Sequence, residues 1–234
     1  MAAMKETLVN DEAPASVQTA RAPASVAAPA PAALPQLSFA DPTALGLFGL
    51  AIACASLLPI AFGMKSAMTV DALRTASWIC LLFGGGCQFL AGLMSFANKN
   101  MLGGTLLTTF SFNWVMNWWA LDGLAQGKQS SSAIVLAVDL CFLLIFFAMT
   151  YAFAFFARML VVFLLDIDAI YMLRIAKELF HEPSLGLPIA ICTVVLMLVA
   201  LYIAVSLVLV SASGKSMLPL GPPVLKGAGP APAH

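Results

Sequence analysis

Asp166 and Asp168 interrupt an otherwise apolar run, where a carboxylate is a candidate proton carrier. A mid-span Asp costs about 2.5–3.5 kcal/mol on translocon scales, so each must be paired, hydrated or protonated. Their i, i+2 spacing sets them about 200° apart around a helix, each about 100° from Ile167. Both therefore cannot point squarely into one path. Two roles stay open: a proton-binding carboxylate beside a gate, or a polar contact with a neighbouring helix or protomer.

A second group of polar residues is uncharged. Residues 83–114 form an apolar helical stretch holding Gln88, Asn100, Thr105, Thr108, Thr109, Ser111 and Asn113 among several glycines. A bilayer offers no water to isolated amides and hydroxyls, so such groups face neighbouring helices or a wet path. Thr105, Thr109, Asn113 and Asn117 recur every four residues and lie on one slowly drifting helical stripe. The stripe either lines a path for a polar solute or ties helices together at about 0.6 kcal/mol per bond. Gln88, an amide in mid-span, has the same two roles open. Gly84, Gly85, Gly86 and Gly92 are read as packing residues that let helices approach closely.

Other chemistries find little support. Cys54, Cys80, Cys87, Cys141 and Cys192 lie inside apolar spans without a C-x-x-C pair, which suits small buried hydrophobes. His181 falls in a loop and His234 in a tail, so a serine nucleophile has no evident base and a metal no ligand cluster. No enzyme activity, cofactor or metal is expected. A net charge of zero offers no argument for a nucleic-acid partner.

The elements that must position these residues follow from composition. Of 234 residues, 62% are hydrophobic and 9% charged, which places the chain in a lipid bilayer. Apolar runs long enough to span about 30 Å of hydrocarbon lie near 44–64, 74–96, 102–121, 133–156, 158–174 and 186–210. Residues 133–173 are almost unbroken and as one helix would reach about 60 Å, twice the core thickness. The chain must turn there, at Arg158. The fourth and fifth spans become antiparallel neighbours, which brings Asp139 and Arg174 to one face as an expected ion pair. Trp78, Trp118 and Trp119 near span ends are read as interface anchors.

Residues 1–40 are rich in Ala and Pro without apolar periodicity and are expected to be disordered. They resemble neither a signal nor a transit peptide, so the first span is expected to act as its own insertion signal. Residues 41–214 form the membrane domain and 215–234 a second loose tail. Lys and Arg divide almost evenly between the two sides, so the positive-inside rule assigns no orientation.

Two motifs connect the chain to a known group. Asp41-Pro42-Thr43-Ala44-Leu45-Gly46-Leu47 resembles the Asn-Pro-Ala-Pro-Leu-Gly-Leu signature of the acetate uptake transporter family, the succinate-acetate permeases. Residues 83–93, followed by Asn100-Met101-Leu102-Gly103, are similar to that family's Tyr-Gly-Gly-x-x-Gln-x-x-Ala-Gly-Leu and Gly-Asn-Thr-Phe-Gly stretches. Ala157-Arg158 and Leu218-Pro219-Leu220-Gly221 also look like the family's, so the resemblance covers about residues 41–221.

The resemblance implies an all-α, six-transmembrane-helix bundle in the cell membrane, a homo-hexamer with a pore in each protomer, conducting acetate and related small carboxylates. It implies that Leu50, Phe110 and Ile167 form an apolar constriction, where the family more often has Phe, Tyr and Leu. It also moves Gln88 towards the substrate path. Departures are Asp41 for Asn, Ser95 for an acidic residue, and the intramembrane Asp139, Asp166 and Asp168. Two alternatives therefore stand beside a carboxylate channel, possible proton linkage included. One is a non-transporting membrane sensor or scaffold, the other a permease of altered selectivity.

Overall fold

The computed structural model describes residues 39–226, which are helical with no strand among them. Residues 1–38 and 227–234, with most of the expected N-terminal tail, lie outside the described residues. Six helices follow one another: α1 Thr43–Ala61, α2 Val70–Ala97, α3 Met101–Ala125, α4 Ser132–Phe153, α5 Arg158–Phe180 and α6 Gly186–Ser213. Four of them, α1, α2, α4 and α6, are long and apolar enough to cross a membrane on length and composition, so the chain is a membrane protein. The other two, α3 and α5, carry the polar stripe and the paired aspartates.

Polar residues at the expected positions start the helices. Asp41 Oδ1 accepts from Thr43 N at 3.0 Å and from Thr43 Oγ1 at 2.6 Å, placing a carboxylate at the positive end of the α1 dipole. Thr69 Oγ1 accepts from Ala72 N at 3.3 Å to cap α2, and Asn100 Oδ1 accepts from Gly103 N at 2.9 Å to cap α3. In the loop before α6, hydrogen bonds from the Ser184 hydroxyl and backbone N–H hold the Glu182 carboxyl below its usual range.

Neighbour packing runs α3–α2–α1–α6–α5–α4, and the ring closes only sparsely between α4 and α3. Glycines set the tight side. A methyl group at Gly84 would enter the Trp114 indole, and one at Gly92 would meet Thr108 N at 2.9 Å. At both positions α2 and α3 approach closer than any side chain allows. Gly85 and Gly86 differ: their nearest neighbours stand at 3.5 and 3.7 Å, ordinary contact distances. The three consecutive glycines lie within Cys80–Cys87, which is wound as a π-helix inside α2. Sequence periodicity gave no sign of this wider turn.

The expected break in 133–173 falls at 154–157, and α5 begins at Arg158 itself. α5 then runs on to Phe180, beyond the expected end at 174, so that Lys177 and Glu178 belong to it. The loose tail expected from 215 is corrected over its first part. Arg158 N donates to Pro222 O at 3.1 Å, Met159 N to Leu220 O at 2.9 Å, and Val224 N and Leu225 N both to Ala154 O at 2.9 Å. Ser206 Oγ adds a bond to Leu218 O at 2.7 Å and Tyr202 OH one to Pro219 O at 2.9 Å. Residues 218–225 thus lie as a strap across the α4–α5 turn.

Candidate conduction path

Two cavities lie within the ring, one towards each end, and Phe110 borders both. The near cavity, at the end where α1 begins and α6 ends, measures about 190 Å³. Asp41, Thr43, Gln88 and Asn100 supply its polar groups, and Leu220 of the strap forms part of its wall. The far cavity measures about 410 Å³ and holds Asn113, Asn117, Tyr171, Asp139, Arg174 and Lys177 among apolar residues.

The three residues expected at an apolar constriction are all buried. Leu50 is 0%, Phe110 4% and Ile167 1% exposed. On α1, Leu47 lines the near cavity and Cys54 the far one, so Leu50 sits a turn from each. Phe110 meets the fully buried Phe146 of α4 edge-on, with ring centroids 5.1 Å apart. Phe146 in turn stacks on Tyr171 at 5.5 Å. Offset and edge-to-face pairs of this kind fix ring orientation, so Phe110, Phe146 and Tyr171 form an aromatic ladder.

The polar residues expected on the path divide. Gln88 is 1% exposed and borders the near cavity, with Oε1 lacking a hydrogen-bond partner. Asn113 borders the far cavity and accepts from Tyr171 OH at 3.1 Å, and Asn117 lies one turn further on. Thr105 and Thr109 line neither cavity, because the stripe drifts around α3 and only its later half reaches the interior. Thr108 also lines neither; it packs against Gly92, its hydroxyl oxygen unpartnered. Within the opening motif, Asp41 borders the near cavity, whereas Leu45 is 39% exposed and Gly46 packs against Leu107 and Ala91. Pro42 is buried where α1 begins.

The two aspartates of α5 point away from both cavities. Asp168 is buried against α4, where Thr150 Oγ1 donates to its Oδ2 at 2.7 Å. Asp166 lies beside Cys192 of α6, with its Oδ2 unpartnered. Their 200° separation sends one towards each flanking helix and leaves Ile167 between them facing the far cavity. The structure thus gives Asp168 a polar contact with a neighbouring helix, leaves one oxygen of each carboxylate without a hydrogen-bond partner, and puts neither aspartate on a wall of the two cavities. The expected ion pair is present: Arg174 Nε lies 3.0 Å from Asp139 Oδ2, with the guanidinium 5.5 Å from the Tyr171 ring centre.

Phe146, Tyr171, Lys177 and Glu178 escaped the sequence reading. For the α5 residues a signal existed: Ile167, Tyr171, Arg174 and Glu178 follow at helical spacing and all line the far cavity. Extending the face of Ile167 along α5 finds them. Nothing marks Phe146, because its neighbour Phe147 is equally apolar in sequence and is 45% exposed.

No family model matches the chain. Over 103 residues, 44% of this chain, it is 32% identical to the glyoxylate pathway regulator of Yarrowia lipolytica, and the matched part is 37% of that protein's length. Among solved structures, the bacterial acetate channel SatP aligns with a TM-score of 0.68 and 18% identity, over 79% of this chain and all of that one. The bundle has the SatP fold. The resemblance to the acetate uptake family, drawn from the motifs at 41–47 and 83–103, is borne out in architecture. The two cavities bordered by Phe110 are thus found in a chain that shares its fold with a channel.

Proposed function

We propose that the protein conducts acetate and related small carboxylates across the cell membrane, with a path inside each protomer of a homo-oligomer. One observation carries this: two cavities, each with a few polar groups set in apolar walls, lie towards opposite ends of the bundle, and the buried Phe110 borders both. Leu50, Phe110 and Ile167 are the constriction, closed by exclusion of water and opened by side-chain movement. Gln88 receives the carboxylate on the near side and Asn113 on the far side, each with an amide suited to an anion's oxygens. The apolar walls favour a substrate with a small hydrophobic body, as acetate has. The protomers assemble as the family resemblance implies, in a hexamer.

Purified protein in vesicles should take up labelled acetate faster than protein-free vesicles, and uptake at two pH values separates anion from proton-linked flux. Equal uptake in both kinds of vesicle removes the transport function. A second function, a carboxylate-responsive membrane regulator that conducts nothing, draws on the name of the Yarrowia protein. It calls for acetate binding without flux.

A further inference from the structure

We propose that Arg174 and Asn113 form a docking site for one carboxylate group in the far cavity, and that Asp139 is a built-in competitor keeping this site weak. This rests on the transport function proposed above and names the residues that would meet the substrate beyond the constriction.

The geometry separates the two partners of the ion pair. Both line the far cavity, but the Asp139 side chain is 2% exposed, whereas that of Arg174 is 28% exposed and is the more accessible of the two. The guanidinium meets Asp139 through Nε, 3.0 Å from Oδ2. The Tyr171 ring, 5.5 Å away, holds the guanidinium against one surface. A planar fork of several donors matches the two oxygens of a carboxylate, which a point-charge ammonium does not.

Asn113 supplies a second set of donors. Its Oδ1 is occupied by the Tyr171 hydroxyl at 3.1 Å, which fixes the amide so that the acceptor faces Tyr171. The NH₂ group has no protein acceptor among the described residues, and Asn113 and Arg174 border the far cavity and a smaller adjoining hollow together. Tyr171 thus orients both: it bonds the amide and supports the guanidinium. Lys177 adds positive charge further along the same wall and Glu178 opposes it.

A site on a conduction path must bind well enough to admit the anion and weakly enough to release it. A lone buried arginine in a low-dielectric cavity would retain carboxylates. Asp139 prevents this by occupying one edge of the guanidinium permanently, so that an arriving carboxylate finds a partly neutralised fork.

The test uses the full chain in vesicles and in detergent. Removing Arg174 alone strands Asp139 in the interior and endangers folding, so the double variant D139N/R174Q, which removes both charges, is compared with wild type. Acetate and its uncharged isostere acetamide are the probes. In the double variant the half-saturation concentration for acetate should rise about ten-fold or more, the effect of losing one charge-assisted contact. Acetamide permeability should stay within about two-fold, since only the charge of the solute is recognised. Asp139→Asn alone should lower the acetate half-saturation by freeing the fork. In detergent, acetate but not acetamide should raise the melting temperature of wild type, and the double variant should lose that shift. An unchanged half-saturation, or acetate and acetamide fluxes falling together, overturns the docking site. Wild-type vesicles without acetate flux overturn the transport function alone. The site then stands if the acetate-specific melting shift is present in wild type and absent from the double variant, and falls if wild type shows no shift.

Discussion

Gln88 and Phe110 are close in the bundle yet should fail in opposite ways. Gln88 is a buried amide at the near cavity, and its NH₂ group is the donor that a carboxylate oxygen would accept from. Hydrogen bonds to charged groups contribute about 1.5–3 kcal/mol, so Gln88→Leu should cut acetate flux about ten-fold or more while expression holds. Phe110→Ala removes the ring shared by both cavity walls. It should raise acetate permeability several-fold and narrow the preference for acetate over larger carboxylates, measured as the ratio of initial rates. An unaltered ratio would place the constriction elsewhere. Asp166 and Asp168 make the complementary case. With one held by Thr150 and the other lying beside Cys192, Asp→Asn at either position should leave the pH profile of flux unchanged once plotted against acetate anion concentration. A flattened profile in either variant would instead return that carboxylate to a proton-linked gate.

The helices divide into those held by close backbone approach and those held by side chains. α2 and α3 belong to the first kind, and the effect of a methyl group should depend on where it is added. Gly92→Ala places a carbon 2.9 Å from Thr108 N and must push the helices apart, whereas Gly86→Ala meets nothing nearer than Leu81 O at 3.7 Å. The first should broaden or abolish the monodisperse peak in size-exclusion chromatography and the second should leave it intact. Equal behaviour would deny the glycines a packing role. This level was largely legible beforehand, because a span's length follows from bilayer thickness and the turn near Arg158 from the impossibility of a 60 Å membrane helix. What escaped has a common cause. The strap at 218–225 is bound mainly through backbone atoms of Pro222, Leu220 and Ala154, which carry no side-chain signature. The π-helix at Cys80–Cys87 changes winding without changing composition. The far end of α5 was cut short because its charges resemble a loop until Asp139 is seen to neutralise one of them.

At the scale of the whole molecule, the decisive question is whether one chain holds a complete path. The residues lining both cavities come from one chain, from its helices and from the segments that flank them. The sparse closure between α4 and α3 leaves room for side-chain movement inside the ring, and Phe146 of α4 meets Phe110 of α3 at that seam. If conduction follows this interior route, each protomer works alone whatever the assembly size. Mixed oligomers of wild type and the Gln88→Leu variant, co-expressed at known ratios and reconstituted at constant total protein, should then give acetate flux that falls linearly with the wild-type fraction. A path on the axis of an assembly would behave otherwise, since one altered subunit would affect a route shared by all and flux would drop as a steep power of that fraction. A linear dependence supports one path per protomer, and a steep one would move the route from the bundle interior to the interface between copies.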